Sequence, residues 1–205
     1  MIKNKIKKIG VFGGTFDPIH NGHLIAAQNA LETLGLDRLI FIPAGKPPHK
    51  CSGKISPPVI RYKMVKLGIL GNKYFAASDI ELSSDCASYT VESLRKIKKL
   101  FPGSELYLLI GLDQALALST WRKPEEILKI CKVMVMTRPG YRTADIESKW
   151  RKKTVFLPVP LIEISASDIR GRIFRGASIE YLVPARVRQY IQQQGLYKVN
   201  DGFMR

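Results

Sequence analysis

Cysteine and histidine are scarce in this chain of 205 residues, and their scarcity excludes several kinds of site. The three cysteines, Cys51, Cys86 and Cys131, show no CxxC spacing, so we expect reduced thiols rather than a disulfide framework or a zinc site. His20 and His23 lie three residues apart, but no third cysteine or histidine follows at a spacing typical of zinc ligands. The sequence therefore predicts no metal held by the protein alone.

Long apolar runs are missing as well. No run approaches the roughly 20 residues that a membrane-spanning helix needs. The basic start, Met1–Lys8, is not followed by the apolar stretch of a secretory signal, because Gly13–Pro18 ends it. We therefore expect no membrane association and a cytoplasmic location.

Acidic residues are few, since 17 aspartates and glutamates stand against 33 lysines and arginines, for a net charge of +16. Such a charge is typical of nucleic-acid-binding proteins, and a nonenzymatic protein of that class is one alternative. The basic residues are dispersed, however, and no recognition-helix, RNP or zinc-finger pattern accompanies them. Basic side chains also steer polyphosphates into a cleft. We expect no specific nucleic-acid partner.

Apolar segments typical of strands alternate along the chain with segments of helical periodicity. The predicted strands are Ile6–Phe12, Arg38–Pro43, Tyr74–Ser78, Glu105–Ile110, Lys132–Thr137 and Thr154–Pro158. The predicted helices are Gly22–Leu34, Pro57–Leu70, Val91–Leu100, Asp113–Leu118, Pro124–Ile130, Ser167–Arg175 and Pro184–Gln194. This order predicts an α/β fold, a Rossmann-like doubly wound parallel sheet with helices on both faces. The length indicates a single domain over residues 1–205.

The first motif follows the first predicted strand. Lys8–Phe12 leads into Gly13 and Gly14, which permit backbone angles and close approaches that a Cβ would prevent. An aspartate-proline pair then turns the chain before a helical pattern begins. If that helix starts just after His20, then His20 and His23 lie on the same side, beside N–H groups that attract an anion. A glycine pair alone would indicate no more than a tight turn.

The second motif, Ile164–Arg170, has the form of another strand-to-helix turn and contains two serines and an arginine. Together the two motifs supply two imidazoles, two hydroxyls, a guanidinium and two helix N-termini. That set of groups suits a nucleoside triphosphate and points to an enzyme that transfers a nucleotidyl group.

The string Gly13–His23 resembles the first signature of the nucleotidylyltransferase superfamily. Ile164–Arg170 resembles the second signature, ISSTxIR, except that Ala166 and Ser167 replace a serine and a threonine. Within the superfamily the chain is similar to the bacterial nicotinate-nucleotide adenylyltransferases. Further segments that carry this resemblance are Pro43–Lys50, Tyr89–Leu94, Gly111–Asp113 with Trp121, Arg138–Gly140, Tyr181–Pro184 and Gly195–Tyr197.

The resemblance implies transfer of the adenylyl group of ATP to nicotinate mononucleotide, with Mg²⁺ bound alongside the ATP. The implied catalytic residues are His20, His23, Lys46 and Arg170. The implied ATP-binding residues are Gly13, Gly14, Thr15, Phe16, Ser165, Ser167 and Arg170. The implied mononucleotide-binding residues are Lys50, Tyr89, Thr90, Asp113, Trp121 and Arg138. Residues 165–205 would form a C-terminal helical segment that completes the ATP site.

Several alternatives stay open. Lys46, His49 and Lys50 fit a solvated loop as well as a phosphate contact, and Trp121 fits a packed core position. Arg138 fits a simple turn. Another adenylyl- or cytidylyltransferase, of the phosphopantetheine or glycerol-phosphate type, shares the motifs in part. The residues alone leave open whether the acceptor carries nicotinate or nicotinamide.

Overall fold

The computed structural model describes residues 6–46, 55–82, 88–137, 143–160 and 162–198, and six parallel strands within them form one sheet. The strands are β1 Lys8–Gly14, β2 Arg38–Pro43, β3 Phe75–Ala77, β4 Glu105–Gly111, β5 Lys132–Thr137 and β6 Val155–Pro158. Their order across the sheet is β3-β2-β1-β4-β5-β6. The order reverses between β1 and β4, as in a Rossmann-like fold, so the predicted fold class is confirmed.

Helices connect these strands. They are α1 Asn21–Leu34, α2 Pro58–Gly68, α3 Thr90–Leu100, α4 Leu112–Leu116, α5 Pro124–Ile130, α6 Ser148–Arg151, α7 Ala166–Phe174 and α8 Ala185–Gln193. Every predicted strand and helix is present, and the ends differ from the prediction by no more than two residues. The sequence did not predict α6, because a helix of four residues with only Trp150 buried carries no periodic pattern.

The central strands are buried on both faces, as expected for a doubly wound sheet. In β1, Phe12 packs into the core on one face, whereas Ile9 and Val11 pack into the core on the other. Helices α1, α2, α7 and α8 supply buried residues to the first core, and α3 to α6 supply them to the second. Since side chains of the strands are committed to these cores, ligands must bind at the loops beyond the carboxyl ends, near the reversal between β1 and β4.

Among the residues that the structure describes, no helix is long and apolar enough to cross a bilayer.

Candidate active site

The two histidines of the first motif stack on each other at the start of α1. Their ring centroids lie 3.6 Å apart with an angle of 25° between the planes. His20, the residue that precedes α1, is buried, and its backbone N–H donates to Nδ1 of His23 at 3.3 Å. Because Nδ1 of His23 accepts this bond, a neutral His23 carries its proton on Nε2. The two histidines therefore lie on the same side of the start of α1, as predicted. In neutral His23 the hydrogen-bond donor is Nε2–H.

Aromatic rings fix the orientation of His23. The Phe16 ring meets the His23 ring edge-on at 5.1 Å between centroids, and the Phe12 ring does so at 6.0 Å. Phe16 is buried and adopts a left-handed backbone with φ of 51°. This conformation is uncommon for a residue other than glycine, and the surrounding packing must hold it.

The adjacent glycines Gly13 and Gly14 have different surroundings. A Cβ on Gly14 would lie 2.8 Å from the Phe16 ring, so packing within the chain excludes a side chain there. A Cβ on Gly13 would meet no atom of the described residues within 4 Å. Internal packing therefore does not explain Gly13, whereas close approach of a ligand to the backbone would explain it.

The second motif lies beside the first. Ser165 caps α7, its Oγ accepting from the N–H of Asp168 at 3.0 Å. Arg170 reaches out of α7 and donates from Nη1 to the carbonyl of Asp17 at 2.8 Å and from Nη2 to Oγ of Ser167 at 3.2 Å. Residues separated by 153 positions are thus in contact, and the two motifs share one location as the sequence indicates.

The start of α1 offers fewer open N–H groups than the sequence suggests. The backbone N–H of Asn21 donates to the carbonyl of Leu182 at 2.9 Å, and its side-chain amide donates to the carbonyl of Tyr181 at 2.6 Å. These bonds attach α1 to the segment before α8. One of the N–H groups expected for phosphate is therefore already used by the protein.

Asp17 is a buried anchor rather than only a turn residue. Its Oδ2 accepts from the N–H of Ser56 at 3.1 Å, and its Oδ1 accepts from the hydroxyl of Tyr197. Burial, followed by the charge of Asp17, raises the pKa of Tyr197 well above its usual value, so Tyr197 stays a proton donor. Sequence reasoning missed this function because the partners are 180 positions apart.

Arg61 is the second residue that sequence reasoning missed. It is 1% exposed and donates to backbone carbonyls in three separate segments. Burial lowers the pKa of Arg61, and the charge of Asp17 opposes that effect, so the guanidinium remains protonated. A signal was available, because Arg61 shares the buried face of α2 with Met64 and Val65 at spacings of three and four.

Lys46 lies just beyond the carboxyl end of β2, the neighbour of β1, and its side chain is exposed. His49, Lys50 and Arg138 lie outside the described residues.

Cys131 is buried as a free thiol, and burial raises its pKa to about 12. Such burial disfavours the reactive thiolate at neutral pH. Cys51 and Cys86 lie outside the described residues.

The candidate acceptor residues that the structure describes lie in two segments, one at the start of α3 and one at and after α4. Tyr89 and Thr90 lie at the start of α3, and Asp113 is exposed in the first turn of α4. Trp121 is half-buried and comes directly after a short 3₁₀ helix, Leu118–Thr120, that follows α4. The neighbouring guanidinium of Arg122 lies over the Tyr89 ring at 4.6 Å, which brings the tryptophan and tyrosine segments together.

Two motifs that resemble nucleotidyltransferase signatures lie together at the reversal point of a doubly wound sheet, an arrangement typical of that class of enzyme, and the comparison with protein families agrees. The family model described as cytidylyltransferase-like matches residues 11–172, which include both motifs. The chain therefore belongs to the cytidylyltransferase-like family.

Individual relatives indicate to which group of enzymes within this family the chain belongs. A protein of Desulfitobacterium hafniense named "Probable nicotinate-nucleotide adenylyltransferase" is 40% identical over 94% of this chain and 97% of its own length. One of the same name from Clostridium novyi is 43% identical over 94% of this chain and 100% of its own. The fold also matches Plasmodium falciparum nicotinic acid mononucleotide adenylyltransferase complexed with NaAD, with a TM-score of 0.76, 19% identity and coverage of 93% and 97%. Within its family the chain is thus a member of the nicotinate-nucleotide adenylyltransferases.

Proposed function

We propose that this protein transfers the adenylyl group of ATP to nicotinate mononucleotide and releases pyrophosphate, a step of NAD biosynthesis. The observation that carries the proposal is the hydrogen bond from Arg170 to the carbonyl of Asp17, since it joins two phosphate-binding motifs into one site. The names of the relatives indicate the acceptor.

The chemistry requires alignment more than proton transfer. The phosphate of the mononucleotide is already an anion at neutral pH, so one of its oxygens attacks the α-phosphorus of ATP without a strong base. The bond from that phosphorus to the oxygen bridging to the β-phosphate breaks, and pyrophosphate leaves. Positioning and stabilisation of negative charge dominate such reactions. His23 is suited to this task, because its Nε2–H can donate to an α-phosphate oxygen while Nδ1 stays occupied.

The β- and γ-phosphates would contact the second motif. Arg170 and the hydroxyls of Ser165 and Ser167 would donate to them, and Lys46 would add a charge from the end of β2. Mg²⁺ would enter with ATP, held by phosphate oxygens and water. The described residues contain no group of three or more His, Cys, Asp or Glu that could hold a metal ion.

The acceptor would bind between α3 and α4. The hydroxyl and N–H of Thr90 at the start of α3 suit a carboxylate, and Trp121 offers a ring for stacking on the pyridine. Asp113 suits ribose hydroxyls. We expect the enzyme to act in the cytoplasm on these nucleotides without a specific nucleic-acid partner.

Pyrophosphate release measured with a series of acceptors tests the function. The acceptors are nicotinate mononucleotide, nicotinamide mononucleotide, phosphopantetheine and glycerol phosphate. An amide would set its own donors against the donors of the carboxylate site, and an unpaired buried donor costs about 1–3 kcal/mol. We expect kcat/KM to favour the nicotinate form by roughly ten- to a hundredfold. Faster turnover with phosphopantetheine or glycerol phosphate would refute the assignment.

A further inference from the structure

The segment that follows β2, Ala44–Lys46, is bound by a side chain that the mechanism above does not use. Nη2 of Arg61 donates to the first two carbonyls of this segment at 2.6 and 3.1 Å. The same guanidinium donates from Nη1 to the carbonyl of Thr15 at 2.8 Å and from Nε to the carbonyl of Ser56 at 2.8 Å. One buried side chain therefore joins the loops after β1 and β2 to the segment before α2.

Ser88 binds the remaining polar groups of the same segment. Its Oγ accepts from the N–H groups of Gly45 at 3.0 Å and Lys46 at 3.3 Å, and its own N–H donates to the carbonyl of Lys46 at 3.2 Å. The N–H of Ala44 donates to the carbonyl of Gly14 at 2.9 Å. Every backbone N–H and carbonyl of Ala44–Lys46 is therefore hydrogen-bonded.

Steric packing fixes the segment further. A Cβ on Gly45 would lie 2.1 Å from the carbonyl oxygen of Glu81, so only glycine fits there. The backbone of Lys46 is held on all sides, whereas its side chain remains exposed. The position of the Lys46 Cα is thus set by the fold.

A buried arginine is a costly way to fill the core-facing side of α2. An apolar side chain would pack there without the desolvation of a charge. The rigid fork of a guanidinium, however, can hold several carbonyls at fixed distances, which no apolar side chain does. Such fixed geometry matters where displacement of a reacting group by about 1 Å can reduce the rate by about 10²-fold.

We propose that Arg61 and Ser88 are positioning residues that fix Lys46, so that its ammonium meets the triphosphate at a set distance from His23. The inference rests on the proposed adenylyl transfer and adds to it two residues that contact no substrate. Ser88 bonds the backbone of Lys46 directly, whereas Arg61 acts on it through the carbonyls of Ala44 and Gly45.

A double-mutant cycle between Ser88→Ala and Lys46→Met tests this action. Ser88→Ala should lower kcat at least about tenfold through misplacement of Lys46, with the KM for nicotinate mononucleotide unchanged. Ser88→Thr, which keeps the hydroxyl, should restore kcat. In the Lys46→Met background, Ser88→Ala should have no further effect, because the group that it positions is gone. An equal loss in both backgrounds, or a Lys46→Met enzyme with full activity, would overturn the inference.

The substitution Arg61→Lys is a second test, which distinguishes a role in positioning Lys46 from a role in stabilising the fold. Lysine keeps the charge but cannot hold carbonyls in three segments at once, so both kcat and the melting temperature should fall. In the Lys46→Met background the fall in kcat should become smaller, because the part that acts through Lys46 is lost, while the fall in melting temperature remains. A fall in kcat of the same size in both backgrounds would mean that Arg61 does not position Lys46. Lys63→Met, on the exposed face of the same helix, should change neither quantity.

Failure of the proposed function would appear separately, as absence of pyrophosphate release by the wild-type protein with nicotinate mononucleotide.

Discussion

Two halves of the proposed site differ in how they are held together: the triphosphate half, around His23, Asp17 and Arg170, and the acceptor half, around Tyr89, Asp113 and Trp121. Contacts in the triphosphate half join residues far apart in the chain, whereas hydrogen bonds in the acceptor half link near neighbours and the two segments meet where Arg122 lies over the Tyr89 ring. In the first half Asp17 contacts Arg170 and Tyr197, and Arg61 contacts Thr15. In the second half the N–H of Gly111 donates to the side chain of Gln114, three residues on, and the N–H of Trp121 donates to the carbonyl of Leu118.

This difference predicts which substitutions should affect both stability and activity and which should affect the binding of one substrate. Loss of the buried contact between Asp17 and Tyr197 in the triphosphate half removes a link between distant elements, so stability and activity should change together. Loss of a side chain in the acceptor half should weaken one substrate and leave the other unaffected. Four substitutions test this contrast, from the largest expected effect to the smallest.

His23→Ala should lower kcat at least about 10²-fold, the scale of one lost donor to the transition state. The fold should persist, because the buried neighbour His20 is unchanged. Steady-state kinetics with circular dichroism checks both statements, and Thr33→Ala on the exposed far end of α1 is the matched control. Near-wild-type turnover by a folded variant would remove His23 from the mechanism.

Arg170→Ala should raise the KM for ATP about tenfold or more, since a hydrogen bond to a charged group contributes about 1.5–3 kcal/mol. The KM for nicotinate mononucleotide should change much less, because the guanidinium serves the leaving pyrophosphate. Separate titration of the two substrates measures this, with Arg172→Ala from the same helix as control. Equal effects on both substrates would make Arg170 structural.

Trp121→Ala should weaken both mononucleotides by a similar factor, about tenfold for the loss of one stacking ring. The KM for ATP should stay unchanged, because no contact of the triphosphate half described above passes through Trp121. Titration of both acceptors and of ATP decides the matter. A large change in the KM for ATP would show that the two halves are not built independently.

Tyr197→Phe should give the smallest effect on activity and still reveal the long-range link. Asp17 loses a donor, so the free energy of unfolding should fall by about 1–3 kcal/mol, and kcat should fall severalfold. Urea denaturation and kinetics measure the two, and Tyr190→Phe in α8 is the control. Unchanged stability would mean that water replaces the hydroxyl at Asp17.

Local patterns predict much of this molecule. Alternating apolar segments indicate the strands and helices, and ligands of such sheets bind beyond the carboxyl ends of the strands. From these two inferences alone, His20, His23 and Arg170 are expected at one site. The inferences hold because hydrophobic periodicity and turn chemistry depend on adjacent residues.

The links beneath the site could not be predicted in the same way. Arg61 binds carbonyls whose proximity exists only in the folded sheet, and Tyr197 meets Asp17 across 180 positions. Sequence periodicity indicates that Arg61 faces the core, but it does not reveal which segments it joins. Sequence therefore locates the groups that would contact phosphate, whereas the folded chain reveals what holds them in place.

The fate of the phosphorus and oxygen atoms tests the central claim most directly. The enzyme would be given ATP labelled at the α-phosphate with ³²P and nicotinate mononucleotide labelled with ¹⁸O in its phosphate. Attack by the mononucleotide phosphate on the α-phosphorus predicts that all ³²P enters the dinucleotide and that the bridging oxygen carries ¹⁸O. Recovery of ³²P in AMP or ADP, or of ¹⁶O at the bridge, would contradict the account.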